Sequence, residues 1–226
     1  MDITPYHAKY FAFELTKRSS SNSLQKLAPS LFDAQVDLNP HQVEAALFAF
    51  KSPLSKGAIL ADEVGLGKTI EAGIVIAQKW AECKRRILII VPSNLRKQWS
   101  QELLDKFFLS SIILESPSFN QEIQQGHLDP FDQDRIVICS YHFARAKESY
   151  IRQIPWDLAV IDEAHRLRNV YKPTNKIANA VKNAVAHAPK ILLTATPLQN
   201  SLGSMSNRIL DRIGNLVGRF VDITET

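Results

Sequence analysis

Asp62-Glu63-Val64-Gly65-Leu66-Gly67-Lys68-Thr69 lies between a short apolar run, Ala58–Ala61, and a stretch of helical periodicity that begins at Lys68. The order strand, glycine-bearing turn, helix is the context a phosphate cradle requires. Successive backbone N–H groups from Gly65 to Thr69 can converge on phosphate oxygens at the positive end of the helix. Glycines at 65 and 67 let the backbone approach a ligand closely. Lys68 would reach the outer phosphates, and the Thr69 hydroxyl would ligate magnesium. The generic pattern starts with glycine, and here Asp62 stands in that place.

A second stretch completes the chemistry. Leu158-Ala159-Val160-Ile161 reads as a buried strand, and Asp162-Glu163-Ala164-His165 follows at its C-terminal end, the edge of an open α/β sheet where ligands bind. Asp162 would hold magnesium, and Glu163 would orient and deprotonate an attacking water, which is most of what phosphoryl transfer asks of a protein beyond positioning. Solvated acids at a strand end are common. Paired with the preceding cradle, a nucleoside-triphosphate site is the stronger reading, with catalytic residues Lys68, Asp162 and Glu163. His165 has no second ligand at metal-binding spacing, so it is assigned to hydrogen bonding within the site.

Around these stretches, short β-rich runs alternate with helical ones. Strands are expected at Ala58–Ala61, Ile87–Val91, Ile112–Leu114, Ile136–Cys139, Leu158–Ile161 and Ile191–Leu193. Helices are expected over Lys68–Cys83, Ser93–Phe107 and Asn175–Ala186, with Ser93 as an N-cap. This is the pattern of an α/β domain with a mostly parallel central sheet and helices on both faces. The polar segment 115–135 reads as surface loop or short helix. Residues 1–17 suggest a short amphipathic helix, followed by a serine-rich linker at 18–23, so that 1–35 forms an N-terminal extension to a domain at 36–201.

The 226 residues, 45% hydrophobic and 22% charged, with 27 Lys+Arg against 23 Asp+Glu, suit a soluble domain. A net charge of +4 is compatible with a polyanionic partner without establishing one. Cys83 and Cys139 sit in apolar surroundings without metal-ligand spacing and are expected to be buried free thiols. No run is long enough to cross a bilayer and no secretion signal opens the chain, so a cytoplasmic location without membrane contact is expected. Trp80 and Trp99 are assigned to core packing. The cluster Lys84-Arg85-Arg86 reads as a solvated helix end, whereas Arg96-Lys97 and Arg166, Arg168 follow motif-bearing strands and are even candidates for phosphate contact.

Taken together, these stretches resemble the DEAH-containing superfamily-two helicases, and within them the SWI/SNF-like DNA translocases, with Gly67–Gly73 (GKTIEAG) closest to the bacterial HepA-like group. The resemblance implies a RecA-like P-loop NTPase lobe using ATP and Mg2+, with duplex DNA as the partner. It makes Asp62-Glu63 the lineage's own start to the cradle. Leu193–Ser201 (LTATPLQNS) is similar to motif III, where Thr194 and Thr196 would couple nucleotide state to strand contacts. Asn39-Pro40-His41-Gln42 resembles the segment whose glutamine reads adenine. The nucleotide-contacting set implied is Gln42, Asp62, Glu63, Val64, Gly65, Leu66, Gly67, Lys68, Thr69, Ile70 and His165. Ile90–Ser93 and Cys139–Tyr141 resemble strand-contact motifs, implying nucleic-acid contacts at Ser93 and Ser140.

The family's motor uses two such lobes, the second supplying an arginine to the transferring phosphate. The 30 residues after Thr196 are too few for another lobe, so a second lobe is expected to be absent from this sequence and supplied by another chain, and slow turnover is expected of this lobe by itself. The alternative is a truncated single-lobe remnant that binds nucleotide or nucleic acid without hydrolysis. Residues 202–226 diverge from the family, but Met205, Ile209, Ile213, Leu216 and Phe220 keep a helical period, leaving a capping helix or unrelated sequence both open.

Overall fold

Strand-forming sequence here is unusually easy to place. Ile87-Leu88-Ile89-Ile90-Val91 is β-branched or leucine throughout, and all five residues are buried. Such a run, apolar on both faces, belongs in a sheet covered on both sides. The computed structural model describes residues 40–51, 57–60, 67–167 and 174–194. Among them the order is α1 (Pro40–Lys51), β1 (Gly57–Leu60), α2 (Lys68–Ala81), β2 (Ile87–Val91), α3 (Arg96–Phe107), β3 (Ser111–Leu114) and α4 (Ser116–Gln124). There follow β4 (Ile136–Ser140), α5 (Tyr141–Ala146), α6 (Glu148–Gln153), β5 (Leu158–Ile161), a 3-10 turn (Ala164–Leu167), α7 (Lys176–Ala184) and β6 (Lys190–Leu193).

The strands form one six-stranded sheet in the order β1-β6-β5-β2-β4-β3. Every neighbouring pair is parallel, so the expected mostly parallel sheet is wholly parallel over the described residues. Alternate residues of each strand feed two separate cores. Ile87, Ile89, Val91, Ile136, Ile138, Leu158 and Val160 pack with α1, α2 and α3. Leu88, Ile90, Val137, Cys139, Ala159 and Ile161 pack with residues of α4 to α7. The strand period of two therefore yields a helix–sheet–helix sandwich.

Three local expectations need correction. Helix α3 does not start at Ser93: Pro92 opens a turn in which the Leu95 N–H donates to the Pro92 carbonyl at 3.0 Å. Leu95 is the N-cap without a side-chain bond. Cys83 is exposed rather than buried, because α2 ends at Ala81 and the chain turns there, with Cys83 at φ 61°. Cys139 is buried, which pushes its thiol up to about 12. Segment 115–135 contains the expected short helix, α4, with a capping box, but is not wholly superficial. Phe119 and Phe131 are buried in an aromatic cluster with Phe143, Tyr150 and Trp156, at centroid separations of 5.1 to 6.5 Å.

The expected N-terminal extension and linker, Asp62 to Leu66, Arg168, Thr196 and the tail at 202–226 lie outside the described residues. No helix among the described residues is long and apolar enough to cross a membrane.

Candidate active site

The parallel sheet gathers its functional segments at one edge, where each strand ends. Helix α2 begins at Lys68, beyond the end of β1, and its N-cap is Gly67 at φ 90°, ψ 33°. An L-side chain is strained there, and a Cβ on Gly67 would meet Gln42 Nε2 at 2.5 Å. The backbone conformation is what calls for glycine, since the Gln42 side chain could shift aside. The contact also brings two expected site residues together, since Gln42, 5% exposed on α1, lies directly against the end of the phosphate turn. Lys68 and Thr69 form the first turn of α2, half-buried, and Ile70 behind them is buried in the α1–α3 core. The Ile70 and Glu71 N–H groups close the first turn onto the Gly67 carbonyl. The 14-residue helix directs its positive end at this edge.

Strand β6 separates β1 from β5 in the sheet. Thr194, just past β6, donates its N–H to the Leu60 carbonyl at 3.1 Å and is buried. Because Ile161 registers with Leu192, Thr194 sits between the end of β1 and the carboxylate pair.

Asp162 follows β5, its N–H bonded to the Ile90 carbonyl of β2 at 2.9 Å. Its carboxylate is held at both oxygens. Oδ1 accepts the Glu163 N–H at 2.8 Å, and Oδ2 accepts the indole N–H of Trp99 at 2.9 Å. Burial pushes the Asp162 carboxyl above the ordinary aspartate range and the Glu163 charge adds to the rise. The two donors and the Lys68 ammonium oppose it.

Glu163 adopts a left-handed backbone, φ 52°. The buried Tyr141 hydroxyl donates to the Asp162 carbonyl at 2.5 Å and lies 3.3 Å from the Glu163 carbonyl. His165 Nδ1 stands 2.9 Å from Glu163 Oε2, which places His165 within the site. Sequence reasoning missed both Tyr141 and the polar role of Trp99. Tyr141 was within a quoted motif; for Trp99, whose bond spans 63 residues, packing was the only local signal.

The two residues implied as nucleic-acid contacts differ. Ser93 is exposed in the turn before α3, where its carbonyl accepts from Arg96 Nε at 3.0 Å. Ser140 is buried, and its hydroxyl caps α5 by accepting the Phe143 N–H at 3.2 Å. Arg96 is also paired with Glu115 at 2.7 Å. In the other basic cluster, Arg86 pairs with Asp132 and Lys84 with Asp157, while Arg85 lies over the Trp80 ring, in keeping with a structural reading.

Among the described residues no group of three or more His, Cys, Asp or Glu could hold a metal ion. A half-buried, oriented carboxylate and a helix-start hydroxyl instead fit magnesium, which is commonly held by one or two protein oxygens together with substrate phosphates.

A family model described as the SNF2-related domain matches residues 23–213. Among solved structures, the Sulfolobus solfataricus SWI2/SNF2 ATPase core in complex with dsDNA superposes with a TM-score of 0.65 at 25% identity. The match covers 82% of this chain and 36% of that one, so the chain spans about a third of its relative's length. With the family match running over most of its residues and the sheet presenting its motif-bearing ends at a single edge, the chain belongs to the SNF2-related domain family, as an N-terminal, RecA-like lobe of the superfamily-two helicase type.

Proposed function

We propose that this lobe binds ATP with magnesium and provides the hydrolytic carboxylates of an ATP-driven translocase on duplex DNA. The reading is carried by one arrangement: Lys68 at the start of α2, after β1, and Asp162 after β5 lie at the same edge of the sheet, with Thr194 between their strands. In this reading Asp62 to Thr69 would contact the phosphates, and Gln42 contacts adenine from its place beside Gly67. Thr69 and Asp162 would hold magnesium, which when bound neutralises charge on the β and γ phosphates.

Glu163 orients the water that attacks the γ-phosphorus and accepts its proton as the bond to the β-phosphate oxygen breaks, releasing ADP and phosphate. His165 stands beside the Glu163 carboxylate, with Nδ1 2.9 Å from Oε2. A second lobe would contribute the arginine, a group worth on the order of 10³–10⁵ in turnover where such arginines act. Thr194 and Thr196 would relay nucleotide state to strand contacts. The relative's complex with dsDNA supports duplex DNA as the partner, and the exposed Ser93 turn suits a backbone contact better than the buried Ser140 hydroxyl.

Calorimetry with ATP and magnesium tests the cradle. Lys68→Ala should weaken binding roughly 10–100-fold, the loss expected for a charge-assisted bond of about 1.5–3 kcal/mol. Glu163→Gln should bind normally and lose turnover by about 10²–10⁴. Equal ATP affinity in wild type and Lys68→Ala would remove the nucleotide site from this edge.

A further inference from the structure

We infer that Trp99 is a positioning residue for Asp162, its indole N–H fixing the carboxylate in the orientation that meets the cation accompanying the nucleotide. The inference rests on the nucleotide reading above and adds to it a residue from outside the carboxylate motif.

Trp99 is 2% exposed on α3, in the core that also contains Val91 and Leu103. An indole can only donate, and a buried one needs an acceptor. The acceptor here is Asp162 Oδ2 at 2.9 Å, while Oδ1 takes the Glu163 N–H at 2.8 Å. Donors on separate oxygens stop the carboxylate rotating, and each oxygen keeps a lone pair for another partner. Trp156 provides the contrast: also buried, it gives its N–H to a main-chain carbonyl, that of Ile151, at 2.8 Å. A tryptophan that only fills space needs no more than that. Trp99 instead spends its donor on one of the two acids of the site. Phenylalanine would occupy much of the same volume without the donor, so packing and positioning can be separated.

The test titrates magnesium into the full chain with ATP at fixed concentration, following nucleotide binding by calorimetry. Trp99→Phe should require about tenfold or more magnesium for half-maximal binding, the usual cost of losing an outer partner of a metal ligand. Its affinity for metal-free ATP should stay at the wild-type level. Trp156→Phe, which loses a comparable bond elsewhere, should lower the melting temperature and leave the magnesium requirement alone. If Trp99→Phe melts lower but keeps the wild-type magnesium requirement, its bond is structural and the inference is wrong.

A spectroscopic reading needs no tryptophan variant. In a ¹H–¹⁵N spectrum of the wild-type chain, the Trp99 indole signal should shift when magnesium and ATP are added, and should differ from that of Asp162→Asn before any ligand is present. An indole signal unmoved in both comparisons overturns the inference. Failure of wild type to bind ATP with or without magnesium would instead overturn the nucleotide reading, with the Asp162→Asn comparison still deciding whether the bond exists.

Discussion

Among the described residues of the site, Glu163 is the non-glycine residue with a left-handed backbone. At φ 52° a non-glycine residue carries strain on the order of 1–3 kcal/mol, sustained when its surroundings fix it. Tyr141 is part of that fixing, because its hydroxyl reaches the carbonyls of both acids. Tyr141→Phe should lose about 1 kcal/mol, the net value of such a bond. For a chain of this size that corresponds to a melting temperature lower by about 2–4 °C. ATP affinity should be unchanged, since the phosphate cradle is untouched. An unaltered melting temperature would show that the hydroxyl contributes nothing to holding the turn. The acids themselves were legible in the sequence because a strand, two carboxylates and a histidine are contiguous. Their restraints were not, since Tyr141 and Trp99 meet them only after β4, β2 and β5 are laid side by side. Ser140 shows the converse: its motif suggested a strand contact, while its hydroxyl is used to cap α5.

The same contrast holds for whole elements. All six strands among the described residues were readable, with ends within a residue, because each is a short apolar run of strand length set between helical stretches. Helix boundaries were less so. Serine at 93 looks like a cap, but Pro92 commits the chain to a turn, and the helix waits until Arg96. Phe119 and Phe131 escaped notice since two aromatics in a polar stretch have no periodicity to announce burial. Packing between elements can be tested at Gly73 on α2. A Cβ there would lie 2.2 Å from the Phe107 ring of α3, so glycine allows the two helices to approach. Alanine would add roughly 1 kcal/mol of helix propensity, against about 1–3 kcal/mol for forcing atoms into a packed core. The second effect should prevail, and Gly73→Ala should unfold at lower urea than wild type. Phe107→Leu, introduced together with it, should recover part of the loss, a coupling expected of residues in contact. A Gly73→Ala chain as stable as wild type would mean that the ring moves aside freely.

Across the whole molecule, the parallel sheet gives direction: phosphate turn, carboxylates, Thr194 and the Ser93 turn all follow strand C-termini, so nucleotide and strand would meet one edge of the lobe. Binding energy at that edge depends on which charges are free to act. Arg96 is tied to Glu115 and to the Ser93 carbonyl, so its charge is compensated and its role is to shape the turn. Lys97, beside it, is exposed, as is Arg166 after the carboxylates. A net charge of +4 adds only a weak general attraction. Duplex DNA affinity measured against salt should therefore follow a shallow slope, with a magnitude of about 2 or 3 on log axes at about 0.9 per phosphate neutralised. Lys97→Ala should reduce that magnitude by about 0.9, whereas Arg96→Ala should weaken binding with little change in slope, because the turn loses its support and Glu115 its partner. A steep slope insensitive to Lys97 would move the DNA track away from the Ser93 turn, and with it the idea that one edge serves both nucleotide and strand.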